Sequence, residues 1–336
     1  MNKPIVAVTI GDPAGIGPEI SVETLQQKEV YENMNPFLIG DEYIIRRAMK
    51  LKECDFELNI ITDPNEGKYT YGTIDLLETG EYASETIEYG EVQKLAGQMS
   101  YDFVMKAIEL GNQKKVDVVG TAPIHKRAIK LVGVAEEGHT EIFENYTDSD
   151  YALTMFHVRN LRVFFVSRHM SLKNAIDYAT KERCVEDLSI IDNIFKKLGY
   201  DNPKIALAAL NPHGSDNGLF GDEEARELEP AVRQSQENGI NVVGPVPADS
   251  VFHLGLQGHY DAILSLYHDQ GHIACKTLDF ERAITITWGL PFVRSSVDHG
   301  TAFDIAGKNI ANSVSMMESL LVAANYWKMQ DDAKNI

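Results

Sequence analysis

Residues 5–19 read IVAVTIGDPAGIGPE, and their reading decides the fold. An apolar run, 5–10, passes directly into Gly11-Asp12-Pro13-Ala14-Gly15-Ile16-Gly17, and Pro18 stands where a helix would open. An apolar run without alternation suits a strand buried on both faces. Proline fits the first turn of a helix, where its missing N–H would have no intrahelical partner. The stretch is therefore strand, glycine turn and helix, the opening unit of a parallel α/β sheet. Outward from it, 116–119, 162–166, 205–208 and 262–266 repeat the apolar run, and most of them end in turn chemistry or a polar cluster. Helical periodicity lies between and after them, as in 185–198, which ends at Gly199, and in 313–329. The expected class is α/β with a largely parallel sheet. Residues 60–88 are polar and read as loops or short strands.

Composition bounds the partners. The 336 residues carry 31 Lys and Arg against 50 Asp and Glu, a formal charge of −19, which disfavours nucleic acid as a partner. An anionic substrate would then need a local basic cluster. The three cysteines, Cys54, Cys184 and Cys275, are far apart and suggest a reducing compartment without a disulfide framework. No apolar run reaches the roughly 18–20 residues of a membrane span. The expectation is a cytoplasmic, unprocessed protein with no membrane partner.

Ligands of open α/β sheets bind beyond the carboxyl ends of the strands. The glycine turn is neither a Walker loop nor G-x-G-x-x-G; it is either a structural reversal or a place where backbone N–H groups meet an anion. A second turn, Gly120-Thr121-Ala122-Pro123, follows the run at 116–119, with His125 and Lys126 behind it. His169, His213 and His268 each follow an apolar run, so they are either separate polar loop residues or three imidazoles at one divalent ion. His157, His253, His259 and His272 read as surface or packing residues. The segment 289–307, with Arg294, Asp298, His299 and Asp304, shows little amphipathic period and reads as a long functional loop. Lys276 and Arg294 supply cations, and arginine can grip a carboxylate or phosphate with two hydrogen bonds.

Taken together, 11–19, Gly138-His139-Thr140-Glu141, Leu210-Asn211-Pro212-His213, Pro247-Ala248-Asp249, Tyr267-His268-Asp269-Gln270-Gly271 and Ser296-Val297-Asp298-His299-Gly300-Thr301-Ala302 resemble the 4-hydroxythreonine-4-phosphate dehydrogenase (PdxA) family, in that family's order. The resemblance implies a two-domain fold like that of isocitrate and isopropylmalate dehydrogenases, with an interdomain cleft, working as a homodimer. The domains expected are 1–138 plus 304–336, and 139–303, the second carrying the metal ligands and dimer contacts. By resemblance the metal ligands are His169, His213 and His268, one of them contributed by the partner subunit. The substrate would meet His139, Thr140, Lys276, Arg294 and Thr285, the last standing where the family usually has asparagine. A hydroxyl there shortens reach and removes a donor.

The implied chemistry is NAD-dependent oxidation, with decarboxylation, of a four-carbon 4-phosphorylated 3-hydroxy acid of the 4-hydroxythreonine 4-phosphate type, assisted by zinc, cobalt, magnesium or manganese. A sister group of the family acts on 4-phospho-D-threonate or 4-phospho-D-erythronate. Lys276, Asp269 and Asp249 are the expected catalytic residues. The loop bearing His299, Gly300, Asp304 and Gly307 is expected to hold the cofactor, with Asp304 on a ribose hydroxyl favouring NAD over NADP. A reading from another class, a metal-dependent phosphate-ester hydrolase, would use the three histidines with Asp12 and Asp249.

Overall fold

The computed structural model describes residues 3–334. Its strands are β1 (Ile5–Thr9), β2 (Asn35–Gly40), β3 (Glu57–Ile61), β4 (Thr73–Glu78), β5 (Val118–Thr121), β6 (Leu153–Val158), β7 (Leu161–Phe165), β8 (Ile205–Ala208), β9 (Val242–Val246), β10 (Ala262–Ser265), β11 (Ile284–Trp288) and β12 (Val293–Val297). The chain divides into two compact units, 3–152 with 284–328 and 153–283 with 329–334.

In the first unit the strand order is β3-β4-β2-β1-β5-β12-β11. All pairs are parallel except β11 with β12. Ala7, Val8, Leu38, Ile39, Val118 and Val119 are fully or almost fully buried, which is why these strands show no polar alternation. In the second unit the order is β6-β7-β10-β8-β9, parallel except for β6 with β7. Its core packs Val163, Phe165, Ala206, Ala208, Ile263 and Cys275 together.

Two expectations are corrected here. The domain division does not fall at 138 and 304. The helix His139–Tyr146 lies in the first unit, and the chain returns to that unit at 284 because β12 pairs with β5 and thereby completes the sheet. The segment 289–307 is not loop throughout: Val293–Val297 is a buried strand between β5 and β11. Its polar residues disguise it, because Arg294 and Ser296 find oxygen partners on or beside β5 and β11 rather than in water. The helix read at 185–198 is present. Thr180 caps the helix Lys181–Lys197 by accepting from the N–H of Arg183, and Gly199, at φ +88°, ends it. The C-terminal helix runs Val314–Lys334, longer than the expected 313–329.

The helix His268–Leu278 lies against β7 through a close approach at Gly271, where an added Cβ would stand 2.5 Å from Phe165 Cε1 and 2.9 Å from Val163 Cγ1. Phe165 is buried and cannot swing away. Gly271→Ala should therefore push the helix off the sheet and lower unfolding stability by about 1–3 kcal/mol in a urea titration, with a matching loss of any function borne by that helix.

Candidate active site

The first unit gathers its site at the carboxyl ends of β1, β5 and β12. The glycine turn after β1 is closed from within. Asp12 N–H donates to Pro123 O at 3.0 Å, Gly15 N–H to Asp12 O at 3.0 Å, Ala14 N–H to Asp12 Oδ1 at 2.9 Å and Ile16 N–H to Thr301 O at 3.0 Å. These N–H groups are occupied, so they do not form an anion cradle, and the structural alternative is correct for them. Glu19, in the first turn of the helix Gly17–Leu25, accepts from Gly307 N–H at 3.0 Å, so a carboxylate already faces that helix end. The turn instead clasps the segment 299–307. Gly15 lies so near Thr301 that a Cβ would meet its carbonyl oxygen at 2.8 Å, and Phe303 stacks on His125 with ring centroids 4.6 Å apart.

Asp12 is fully buried, and burial raises its pKa to about 6, with only the Ala14 hydrogen bond opposing the rise. Arg294, also buried, is held by two hydroxyls: its Nη1 donates to Thr287 Oγ1 at 3.1 Å and its Nη2 to Thr121 Oγ1 at 2.9 Å. The guanidinium lies 5.1 Å from the centre of the Phe143 ring. His139, on the same helix as Phe143, has a buried Nε2 without a hydrogen-bond partner. Burial, and then the Arg294 charge, hold its pKa well below the usual histidine range, so the ring is neutral. Thr140 follows it, half-buried. A fixed cation beside a neutral imidazole with an unsatisfied nitrogen can receive an anionic oxygen. Thr285 is committed elsewhere, its hydroxyl donating to Ser296 O at 3.3 Å.

The second unit holds the three histidines singled out from the sequence. The rings of His169 and His268 have centroids 6.2 Å apart, close enough for both to reach one cation. His268 Nδ1 pairs with Asp269 Oδ1 at 2.7 Å, which fixes the ring and leaves Nε2 for a ligand. Beneath it His272 stacks at 3.7 Å with an interplanar angle of 11°. Burial, and then His268, lower its pKa to about 4, so it offers a neutral ring rather than a competing charge. The sequence left it as a surface or packing residue; the structure makes it a packing one, under His268. His268, His272 and Lys276 recur every four residues and share one helix face.

Among the described residues no three His, Cys, Asp or Glu side chains of one chain form a metal-binding group. Asp249 is exposed on the first turn of the helix Ala248–Leu256. Asp304 is exposed on the clasped loop, and His299 Nδ1 lies 3.0 Å from Gly300 O. The donor set fits a divalent ion as far as one chain supplies it: two nearby imidazoles, one oriented by a carboxylate.

By its likeness to named dehydrogenases the chain is an enzyme, an α/β dehydrogenase acting on a CH–OH group. The solved 4-hydroxythreonine-4-phosphate dehydrogenase of Klebsiella pneumoniae superposes with a TM-score of 0.90 at 37% identity, covering 97% of this chain and 98% of that one. A Salmonella typhimurium structure, provisionally given the same name, superposes with a TM-score of 0.89 at 38% identity, covering 97% and 100%. The family model described as pyridoxal phosphate biosynthetic protein PdxA matches residues 32–323, and the chain belongs to that family. Proteins of Clostridium botulinum (strain Hall) and Halalkalibacterium halodurans, both provisionally named D-threonate 4-phosphate dehydrogenase, are each 49% identical over 325 residues, 97% of either chain.

The buried Asp12 makes a stability prediction. Its folded pKa of about 6 exceeds the 3.8 of an exposed aspartate, so its contribution is fully present below about pH 4 and is lost as pH rises through 6. Asp12→Asn should match the parent protein in melting temperature at pH 4 and exceed it at pH 8, by up to about 3 kcal/mol of stability. Parallel melting curves from pH 4 to 8 check this.

Proposed function

We propose that the chain oxidises the secondary alcohol β to the carboxylate of a four-carbon 4-phosphorylated hydroxy acid, with NAD and a divalent ion, and that the resulting β-keto acid loses carbon dioxide. D-threonate 4-phosphate is the preferred substrate. The observation that carries this choice is the 49% identity, along 97% of the chain, to relatives provisionally named for that acid, against 37–38% to the solved 4-hydroxythreonine-4-phosphate enzymes. The threonine at 285, its hydroxyl already engaged by β12, supports a pocket that differs from one lined by an amide.

His169 and His268 would hold the ion together with His213 of the partner subunit. A divalent ion lowers the pKa of a hydroxyl it binds and stabilises negative charge left by departing carbon dioxide, while NAD accepts hydride. The remaining work belongs to the chain's own groups. Arg294, His139 and Thr140 bind the anionic ends of the substrate, and the fixed guanidinium supplies the local positive charge that a chain of net charge −19 otherwise lacks. Lys276, on the helix face of His268, would move a proton, with Asp249 as the alternative. Asp269 orients His268. The segment 299–307, clasped by the glycine turn, carries the cofactor through His299, Gly300 and Gly307, and the exposed Asp304 would accept from a ribose hydroxyl.

A homodimer would complete the ligand set, because among the described residues no three His, Cys, Asp or Glu side chains of one chain form a metal-binding group. An apolar groove lined by Leu161, Phe252, Leu256, Ile273, Ala274 and Leu278 offers a surface for a second copy, and Ile273, 63% exposed, lies on the helix that bears His268. No helix among the described residues is long and apolar enough to cross a membrane. The three free, buried cysteines suit a reducing compartment such as the cytoplasm.

NADH formation in the presence of cobalt or zinc ions, with each acid in turn, tests the substrate. The expected result is a kcat/KM at least tenfold higher for D-threonate 4-phosphate than for 4-hydroxythreonine 4-phosphate. The reverse order would return the substrate to the second acid, and phosphate release without NAD would favour the hydrolase reading. Lys276→Ala should cut kcat by about 10²–10⁴ while metal content stays unchanged. Mixing inactive His169→Ala and His213→Ala subunits should regenerate activity, because a mixed dimer contains one complete ligand set; no recovery after subunit exchange would place all three ligands in one chain.

A further inference from the structure

After β8 the chain runs 209–211 to reach His213, and the polar backbone of this short strap is used in full on its N–H side. Ala209 N–H donates to Val246 O at 2.8 Å. Leu210 N–H and Asn211 N–H both donate to Glu224 Oε1, at 2.9 and 2.6 Å. Asn211 Nδ2 donates to Glu224 Oε2 at 2.8 Å and to Glu223 Oε2 at 2.7 Å. Glu224 is 1% exposed, so a buried carboxylate spends both oxygens on two residues of the strap. It opens a five-residue π-helical turn, Glu224–Leu228, a local widening common at functional sites.

Beyond the strap the backbone turns left-handed for six consecutive residues: His213 at φ 56°, Gly214 at 66°, Ser215 at 65°, Asp216 at 48°, Asn217 at 56° and Gly218 at 89°. Four of these carry side chains, and each such residue costs roughly 1–2 kcal/mol in this conformation. The turn persists only if both ends are tied. Its far end is closed by Gly218 N–H to Ser215 Oγ at 3.1 Å and Phe220 N–H to Ser215 O at 3.1 Å. Its near end is the strap, which Glu224 grips from across the loop.

We propose that Glu224 is a positioning residue for His213: its carboxylate closes the base of the loop 210–224, fixes the left-handed turn and so sets the direction in which the imidazole is offered to the metal site of the partner subunit. This rests on the reading of His213 as a metal ligand. Groups that orient a ligand typically change metal affinity 10- to 100-fold when removed. Glu224→Gln keeps one acceptor oxygen but sets an NH₂ against the Asn211 amide. Glu224→Ala leaves two part-buried N–H groups without an acceptor.

The experiment titrates cobalt(II) into the metal-free full-length dimer and follows its visible absorption, with His213→Ala as the reference. Circular dichroism and melting curves show which variants are folded at the assay temperature. The expected result is a Kd for cobalt raised about 10- to 100-fold in the folded Glu224→Ala protein, a smaller rise in Glu224→Gln, an altered cobalt spectrum in both, and unchanged NAD affinity. A folded Glu224→Ala protein with parental affinity and spectrum overturns the inference; where that variant does not fold, Glu224→Gln decides by the same criterion. If His213→Ala itself binds cobalt as the parent does, the ligand reading fails, a result distinct from a failure of Glu224 alone.

Discussion

Each strand of a parallel sheet that hands over to a functional loop leaves backbone N–H groups turning away from their ladder, and burying those groups unpaired costs about 1–3 kcal/mol each. This constraint organises the protein. After β1, Asp12 takes the Ala14 N–H. After β8, Glu224 takes those of Leu210 and Asn211. After β10, Gln270 accepts from Leu266 N–H at 2.8 Å and donates to Ala209 O at 2.7 Å, so one amide ties two strand ends together. The loops are polar and irregular, yet their bases are as well bonded as a strand. That lets them carry imidazoles and charges without fraying.

The electrostatics follow the same economy. The chain is strongly acidic as a whole, but the carboxylates at these strand ends accept from backbone N–H groups and, at Glu224, from the Asn211 amide. Arg294 is held by hydroxyls and an aromatic ring, so its charge is steered without being neutralised by those partners. His139 and His272 are kept uncharged by burial. In the first unit the result is a neutral ring beside a fixed guanidinium.

Much of this was legible in the sequence because apolar runs without alternation announce buried strands, and the histidines stand just after them. The strands that escaped were those with mixed chemistry. β12 reads Val-Arg-Ser-Ser-Val, and only its neighbours' hydroxyls explain why such residues are buried. β2, six residues long, begins Asn-Pro, a pair that reads as a turn. The anion reading of the glycine turn failed for a reason no spacing reveals: its N–H groups are used by Asp12, Pro123 and Thr301, the last nearly three hundred residues away. Glu224 was invisible for the same reason. A carboxylate in an acidic, helical stretch reads as solvated surface until the fold carries it back to the strap it grips.

The order of the two units along the chain has a consequence for how the protein emerges during synthesis. Residues 153–283 are contiguous, so they can collapse as soon as they leave the ribosome. The first 152 residues cannot finish their sheet, because the place beside β5 stays empty until 293–297 arrive. For the time needed to translate some 140 further residues, β5 is an apolar edge strand with open hydrogen-bonding groups, the feature most prone to pairing with another nascent chain. Slow translation across 153–283 would lengthen that exposure, and chaperone demand should concentrate there.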